Sequence, residues 1–157
     1  MLISNTSSHQ HGMLRRSWTT LWEAAISGRR PAHLTMRQFI SEGLRFATHL
    51  EIHHNIEESV IFPHLSQKMP EFRAGRGSRA AELLRQHREI HKGLESLRNY
   101  LEKCLNGDKE LELSVLWGKM DTWREVLWTH LDQEVQTLGA DNMRRYWTIE
   151  EMRKIPM

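Results

Sequence analysis

Apolar side chains recur along this chain at steps of three and four residues in four long stretches, and no stretch shows the two-residue alternation of a half-buried strand. Leu14, Trp18, Leu21 and Ala25 predict a first helix from about His11 to Ser27, stopped by Gly28 with Pro31 just beyond. Thr35-Met-Arg-Gln38 has the form of a capping box, in which the two outer side chains each satisfy a backbone N–H at the helix start. A second helix therefore begins at Met36. Its inward face carries Phe39, Phe46, Leu50, His53, Glu57, Val60 and His64, and Pro63 signals that its end is near. Pro70 to Ser78, with Gly75 and Gly77, reads as loop. A third helix spans about Arg79 to Leu105, with Leu84, His87, His91, Leu94, Leu101 and Leu105 in phase, and stops at Asn106-Gly107-Asp108. A fourth, from about Glu110 to Leu138, has Leu116, Met120, Trp123, Leu127, His130 and Glu134 in phase and meets Gly139. Beyond it, Thr148-Ile-Glu-Glu151 can cap one last short turn.

Four amphipathic helices with short or medium connections predict an all-α, up-down-up-down four-helix bundle. A length of 157 residues and 39% hydrophobic content suit one domain over 1–157, with the bundle at about 11–138 and a C-terminal tail at 139–157. The formal charge of +2 comes from 22 basic and 20 acidic residues that are interspersed along the chain, which argues against a nucleic-acid surface. Lys68, Arg73, Arg76 and Arg79 form one local excess around Glu71, read as a solvated loop rather than a phosphate site. Cys104 is the single cysteine, so no internal disulfide is possible. Residues 1–12 are polar rather than signal-like and no apolar run reaches membrane-spanning length, so a cytoplasmic location with no membrane partner is expected.

The chemistry lies in the histidines. His53-x3-Glu57, His87-x3-His91 and His130-x3-Glu134 each place two donors on one helix face, and His11 joins them near the start of the first helix. These positions fall at the start, end, start and end of successive helices, which is one level of an up-and-down bundle. Burying such groups without compensation costs several kcal/mol per unpaired charge, of the order of the whole stability of a domain. Metal coordination offsets that cost. Five imidazoles and two carboxylates without thiolates exceed what one tetrahedral zinc takes. With both carboxylates bridging and one bridging oxygen, about one position on two six-coordinate irons stays open.

Other registers compete in the second helix. His54 and Glu58 are rotated by about 100° from His53 and Glu57, which suggests a supporting or surface role, and His49 sits one turn before His53 as a pocket residue or proton donor. His11 is preferred over His9 because it is in phase with Leu14 and Trp18. His33 and His64 lack a partner at ligand spacing.

The string His53-His54-Asn-Ile-Glu57-Glu58-Ser-Val-Ile-Phe62-Pro63 resembles the signature of the hemerythrin-like HHE cation-binding domain family. Gln86-His87-x3-His91, His130-Leu-Asp-Gln-Glu134 and His11-Gly-Met-Leu-Arg are similar to that family's other helix motifs, and the Trp-rich fourth helix and the tail resemble fungal members. The resemblance implies a non-haem di-iron centre, oxo- or hydroxo-bridged, with His11, His53, Glu57, His87, His91, His130 and Glu134 as metal ligands. In one respect the chain departs from the oxygen-carrying hemerythrins of marine invertebrates, which pair the last histidine with an aspartate five residues on, where this chain has Glu134 four residues on.

Two functions fit such a centre. A binding protein would take up dioxygen or another small diatomic ligand, such as nitric oxide, at the open iron position for storage, sensing or detoxification. A di-iron oxidoreductase or oxygenase would instead act on a small organic substrate, as in a biosynthetic pathway. Trp18, Trp22, Met120, Trp123, Leu127 and Trp128 either line an apolar pocket around the open position or form ordinary core. A structural bundle carrying zinc is the third reading.

Overall fold

The computed structural model describes residues 2–73 and 79–155, with side chains from Gln10 onward except that of Ala140. Every regular element among them is helical. These are α1 (Leu2–Ser27), α2 (Met36–Ile56), α3 (Phe62–Leu65), α4 (Arg79–Leu105), α5 (Leu113–Leu138), α6 (Ala140–Met143) and α7 (Ile149–Arg153). A π-helical turn at Glu57–Ile61 joins α2 to α3, and a 3-10 turn occupies Pro70–Phe72. The four long helices close a ring in which α1 packs on α2, α2 on α4, α4 on α5 and α5 on α1. This is the expected four-helix bundle. Among the described residues no helix is long and apolar enough to cross a membrane.

Local chemistry sets the element boundaries. Thr35 Oγ1 accepts from the Gln38 backbone N–H at 3.1 Å while Gln38 Oε1 accepts from the Thr35 N–H at 2.9 Å, so the capping box starts α2 as its sequence demands. Gly28 follows α1 at φ +71°, a left-handed conformation in which only glycine is unstrained. α1 itself begins at Leu2, well before His11, while the side chain of His9 lies outside the described residues. Of the predicted Pro70–Ser78 loop, residues 74–78 also lie outside them.

Two registers differ from the sequence pattern. In α4 the buried stripe is Leu83, His87, Ile90, Leu94, Leu97 and Leu101, so Leu84 is left half-buried at the edge of the smaller core and His91 is turned to solvent. In the second long segment, the π turn holds one residue more than an α turn and rotates everything after it by about 100°. Val60, expected inside, is consequently exposed, and Ile61, Phe62 and Leu65 are buried instead of His64.

The core has two parts. The larger fills the bundle with Trp18, Phe39, Phe46, Leu50, Leu94, Trp123 and their neighbours. Trp18 packs edge-on against Trp123 at 5.2 Å and against Phe46 at 5.7 Å, and all three rings are buried, so these aromatics are core. Gly93 makes room for this packing, because a Cβ there would lie 2.2 Å from Trp123 Cγ. The smaller part joins the segment after α2 to the tail, with Phe62, Leu65, Met69 and Phe72 packed with Leu138, Met143, Trp147, Met152 and Ile155. A second capping box starts α7, where Thr148 Oγ1 accepts from the Glu151 N–H at 3.2 Å. Trp147 stacks on His64 at 5.3 Å, and Lys68 pairs with Glu151. The tail thus closes one end of the bundle, the end at which the histidines gather.

Candidate metal centre

At the C-terminus of α2 the helical rotation of about 100° per residue points consecutive histidines at different neighbours. His53 meets His11 of α1, with rings edge to face at 5.6 Å, and His54 stacks on His87 of α4 at 3.8 Å. His130 of α5 completes the second group, its Nε2 lying 3.1 Å from Nε2 of His87. Two wholly buried carboxylates stand between the groups. Glu134 Oε2 is 3.0 Å from His11 Nε2 and 3.6 Å from His53 Nε2, while its Oε1 is 2.7 Å from His130 Nε2. Glu57 Oε2 is 3.1 Å from His87 Nε2, and its Oε1 faces His53 Nε2.

Three sets of donors converge within 4.8 Å: His54, His87 and His130; Glu57, His87, His130 and Glu134; and His11, His53 and Glu134. Six of the seven residues singled out by spacing therefore lie together. His91 does not. Its side chain is 54% exposed, because Ile90 takes the inward position after His87 and His91 lies one residue further round the helix. The fifth imidazole of the cluster belongs to His54, which is buried, so of the two roles expected for it the surface one is corrected. Its signal was the adjacent pair His53-His54, since two neighbours can straddle an inward stripe and serve two adjoining helices.

The imidazoles are held from behind. His87 Nδ1 donates to Glu58 Oε1 at 2.8 Å, and His130 Nδ1 donates to Gln86 Oε1 at 2.8 Å. Both bonds leave Nε2 as the nitrogen that faces the cluster and fix the ring plane. Gln86 is itself anchored, donating to Gln133 Oε1 at 2.7 Å. The partially exposed Glu58 fits a supporting place, and Gln86, quoted in the sequence only as part of the motif Gln86-His87-x3-His91, takes one as well.

The charges inside the cluster are arranged around the two carboxylates. Burial opposes the charged form of His53, but Glu57 and Glu134 outweigh it and raise its pKa to about 10. Burial likewise opposes charge on His87, and hydrogen bonds to Glu134 and Glu57 raise it to about 9. His54 is held well below the usual histidine range by burial and by the neighbouring His87 and His130. Burial and the facing Glu134 push Glu57 up. Glu134 is also penalised by burial, yet His130, Glu57 and His11 hold it well below the usual carboxylate range. Protons on His53 and His87 thus balance carboxylate charge that a metal cation would otherwise neutralise.

The donor set fits a metal on a second count. His53 Nε2, His54 Nε2, His11 Nδ1, both oxygens of Glu57 and Oε1 of Glu134 are buried without a well-formed hydrogen bond, although several lie close to an opposite charge. Donor atoms that crowd together without well-formed hydrogen bonds are what a cation draws in as it displaces their protons, and leaving them unpaired is costly. Cys104, the one thiol, lies 17 residues along α4 from His87, about 25 Å away by helical rise, and takes no part.

No curated protein and no solved structure matches the chain. Residues 3–140 match the hemerythrin HHE cation binding domain, a stretch that contains the four long helices except Leu2 and every residue of the cluster. The chain belongs to the hemerythrin HHE cation-binding domain family.

Proposed function

We propose that the centre holds two iron ions and binds dioxygen or another small diatomic ligand at an open iron position, for storage, sensing or detoxification. The observation that carries this reading is the sharing of Glu134 between two donor groups on opposite sides of it. One side offers His11 and His53 and the other His54, His87 and His130, with Glu57 also reaching both sides. A carboxylate between two sets of imidazoles is suited to join two cations, and the absence of thiolate favours iron over a structural zinc.

Iron, when bound, supplies the affinity for a diatomic ligand that imidazole and carboxylate lack. The chain supplies the rest. The ligands proposed are His11, His53, His54, Glu57, His87, His130 and Glu134, with Gln86 and Glu58 orienting two of the rings. Leu14, Leu50 and Leu131 on the bundle side and Ile61, Phe62 and Leu83 on the tail side are all buried, while His53, His54 and His87 reach grooves on the two faces of α2. Apolar side chains above and below the cluster suit a binding centre, because they limit the proton supply from those directions that would turn a bound ligand over.

A di-iron oxidoreductase acting on a small organic substrate is the second reading. It is supported by a groove between α1 and α2 whose wall includes His53. Iron content per chain and absorption spectra before and after air, on anaerobically purified protein, test both readings. About two irons with a reversible oxygen-dependent band support binding. A band that decays irreversibly to a ferric spectrum favours oxidation chemistry, and zinc or no metal would overturn both readings.

A further inference from the structure

The cluster is approached from solvent on two faces of α2, and the two approaches differ in chemistry. Between α2 and α4 lies a groove that His54 and His87 line, with a charged rim of Glu51, Glu58, Arg88, His91 and Lys92. Between α1 and α2 lies a second groove of about 430 Å³, within the range of small-molecule sites. Leu14 and His53 line its inner part and Met13, Ile52 and Ile56 its flanks, with His49 one helical turn before His53. Ile52 is 50% and Ile56 40% exposed, one turn apart on α2. A single exposed isoleucine needs no explanation, but two flanking a groove that ends on a histidine of the metal cluster do.

We propose that this α1–α2 groove is the binding site of a small, mainly apolar organic molecule with one hydrogen-bonding group. The apolar body lies between Met13, Ile52 and Ile56, and the polar group meets His49. The inference rests on the metal-centre reading only in that His53 then brings the molecule beside the metal, which makes it the substrate class of the oxidoreductase reading. A second copy of the chain is a poorer occupant. The exposed apolar stripe of Ile52, Ile56 and Val60 amounts to three side chains, far less than the roughly 800 Å² per partner of a standard protein interface.

Titration of the iron-loaded full chain with 2-naphthol, followed by its fluorescence, tests the proposal alongside the variants Ile52→Glu, Ile56→Glu and His49→Ala. All three residues are exposed, so the fold and the iron content should persist in each variant. Saturable binding of one naphthol per chain is expected, weakened at least tenfold by either glutamate and severalfold by His49→Ala. Absence of saturable binding, or equal affinity in Ile52→Glu, overturns the proposal. So does a wild-type dimer in sedimentation that Ile52→Glu dissociates, since a second copy would then fill the groove. Iron measured on the same samples separates the two ideas. Two irons without naphthol binding reject the groove alone, whereas naphthol binding with the predicted variant pattern and no iron rejects the metal reading alone.

Discussion

His54 and His91 compete for the place of the fifth imidazole, and a rotation of about 100° decides between them. His54 lies in the cluster with an unpartnered Nε2, whereas His91 faces solvent next to Glu95. His54→Ala should therefore lower iron content and melting temperature together, while His91→Ala should leave iron unchanged and stability within about 0.5 kcal/mol. Metal analysis and thermal melts of the two variants check this, and loss of iron in His91→Ala alone would reverse the assignment. Gln86→Leu removes the acceptor behind His130 and should weaken metal binding by about 10–100-fold in a chelator competition. The protons on the cluster give a pH dependence with two opposite signs. His53 and His87 have folded-state pKa values of about 10 and about 9, above the 6.5 of an ordinary histidine. Their contribution to the stability of the metal-free protein is therefore complete below pH 6.5 and is lost as pH rises through 9 and 10. Metal must displace those same protons, so its affinity should climb over the interval in which the metal-free fold weakens. Melts of metal-free protein and metal titrations between pH 6.5 and 10 measure both trends, and a metal-free fold that strengthens with pH would contradict the charge arrangement.

Elements were legible wherever their signals were local. Both capping boxes form as written, and the α5 stripe from Leu116 to Glu134 is buried throughout. The α4 stripe was harder to read, because His87 has inward-compatible neighbours at both three and four residues and contact with α2 and α5 selects Ile90 over His91. The π turn at Glu57–Ile61 was not legible either, since its extra residue follows from packing Ile61, Phe62 and Leu65 into the smaller core. At Gly93 the Trp123 ring of α5 occupies the space that a side chain on α4 would need. Gly93→Ala would force the buried Trp123 ring to move, at a cost of about 1–3 kcal/mol or a drop of several degrees in melting temperature. A melt of that variant unchanged from wild type would mean that the indole has room to shift.

At the scale of the whole molecule, the cluster lies between two cores, and one of them depends on a tail that is mostly beyond the matched stretch of residues 3–140. Ending the chain at Gly139 removes Met143, Trp147, Met152 and Ile155, each buried and worth roughly 1.5–3 kcal/mol before entropy is counted. The shortened protein should melt well below the full chain and surrender iron faster to a chelator. Equal release rates would show that the bundle alone retains the metal. The helices, their bundle arrangement and the types of donor could be deduced from residue order, because helical periodicity, caps and i,i+4 spacing are properties of one segment at a time. Whether His54 or His91 faces the cluster, whether Val60 or Ile61 is buried, and what closes the end of the bundle were decided only in three dimensions. Each of these turns on a rotation of about 100° or on a partner distant in sequence, and the packing of neighbouring helices, rather than local preference, determines which alternative is buried.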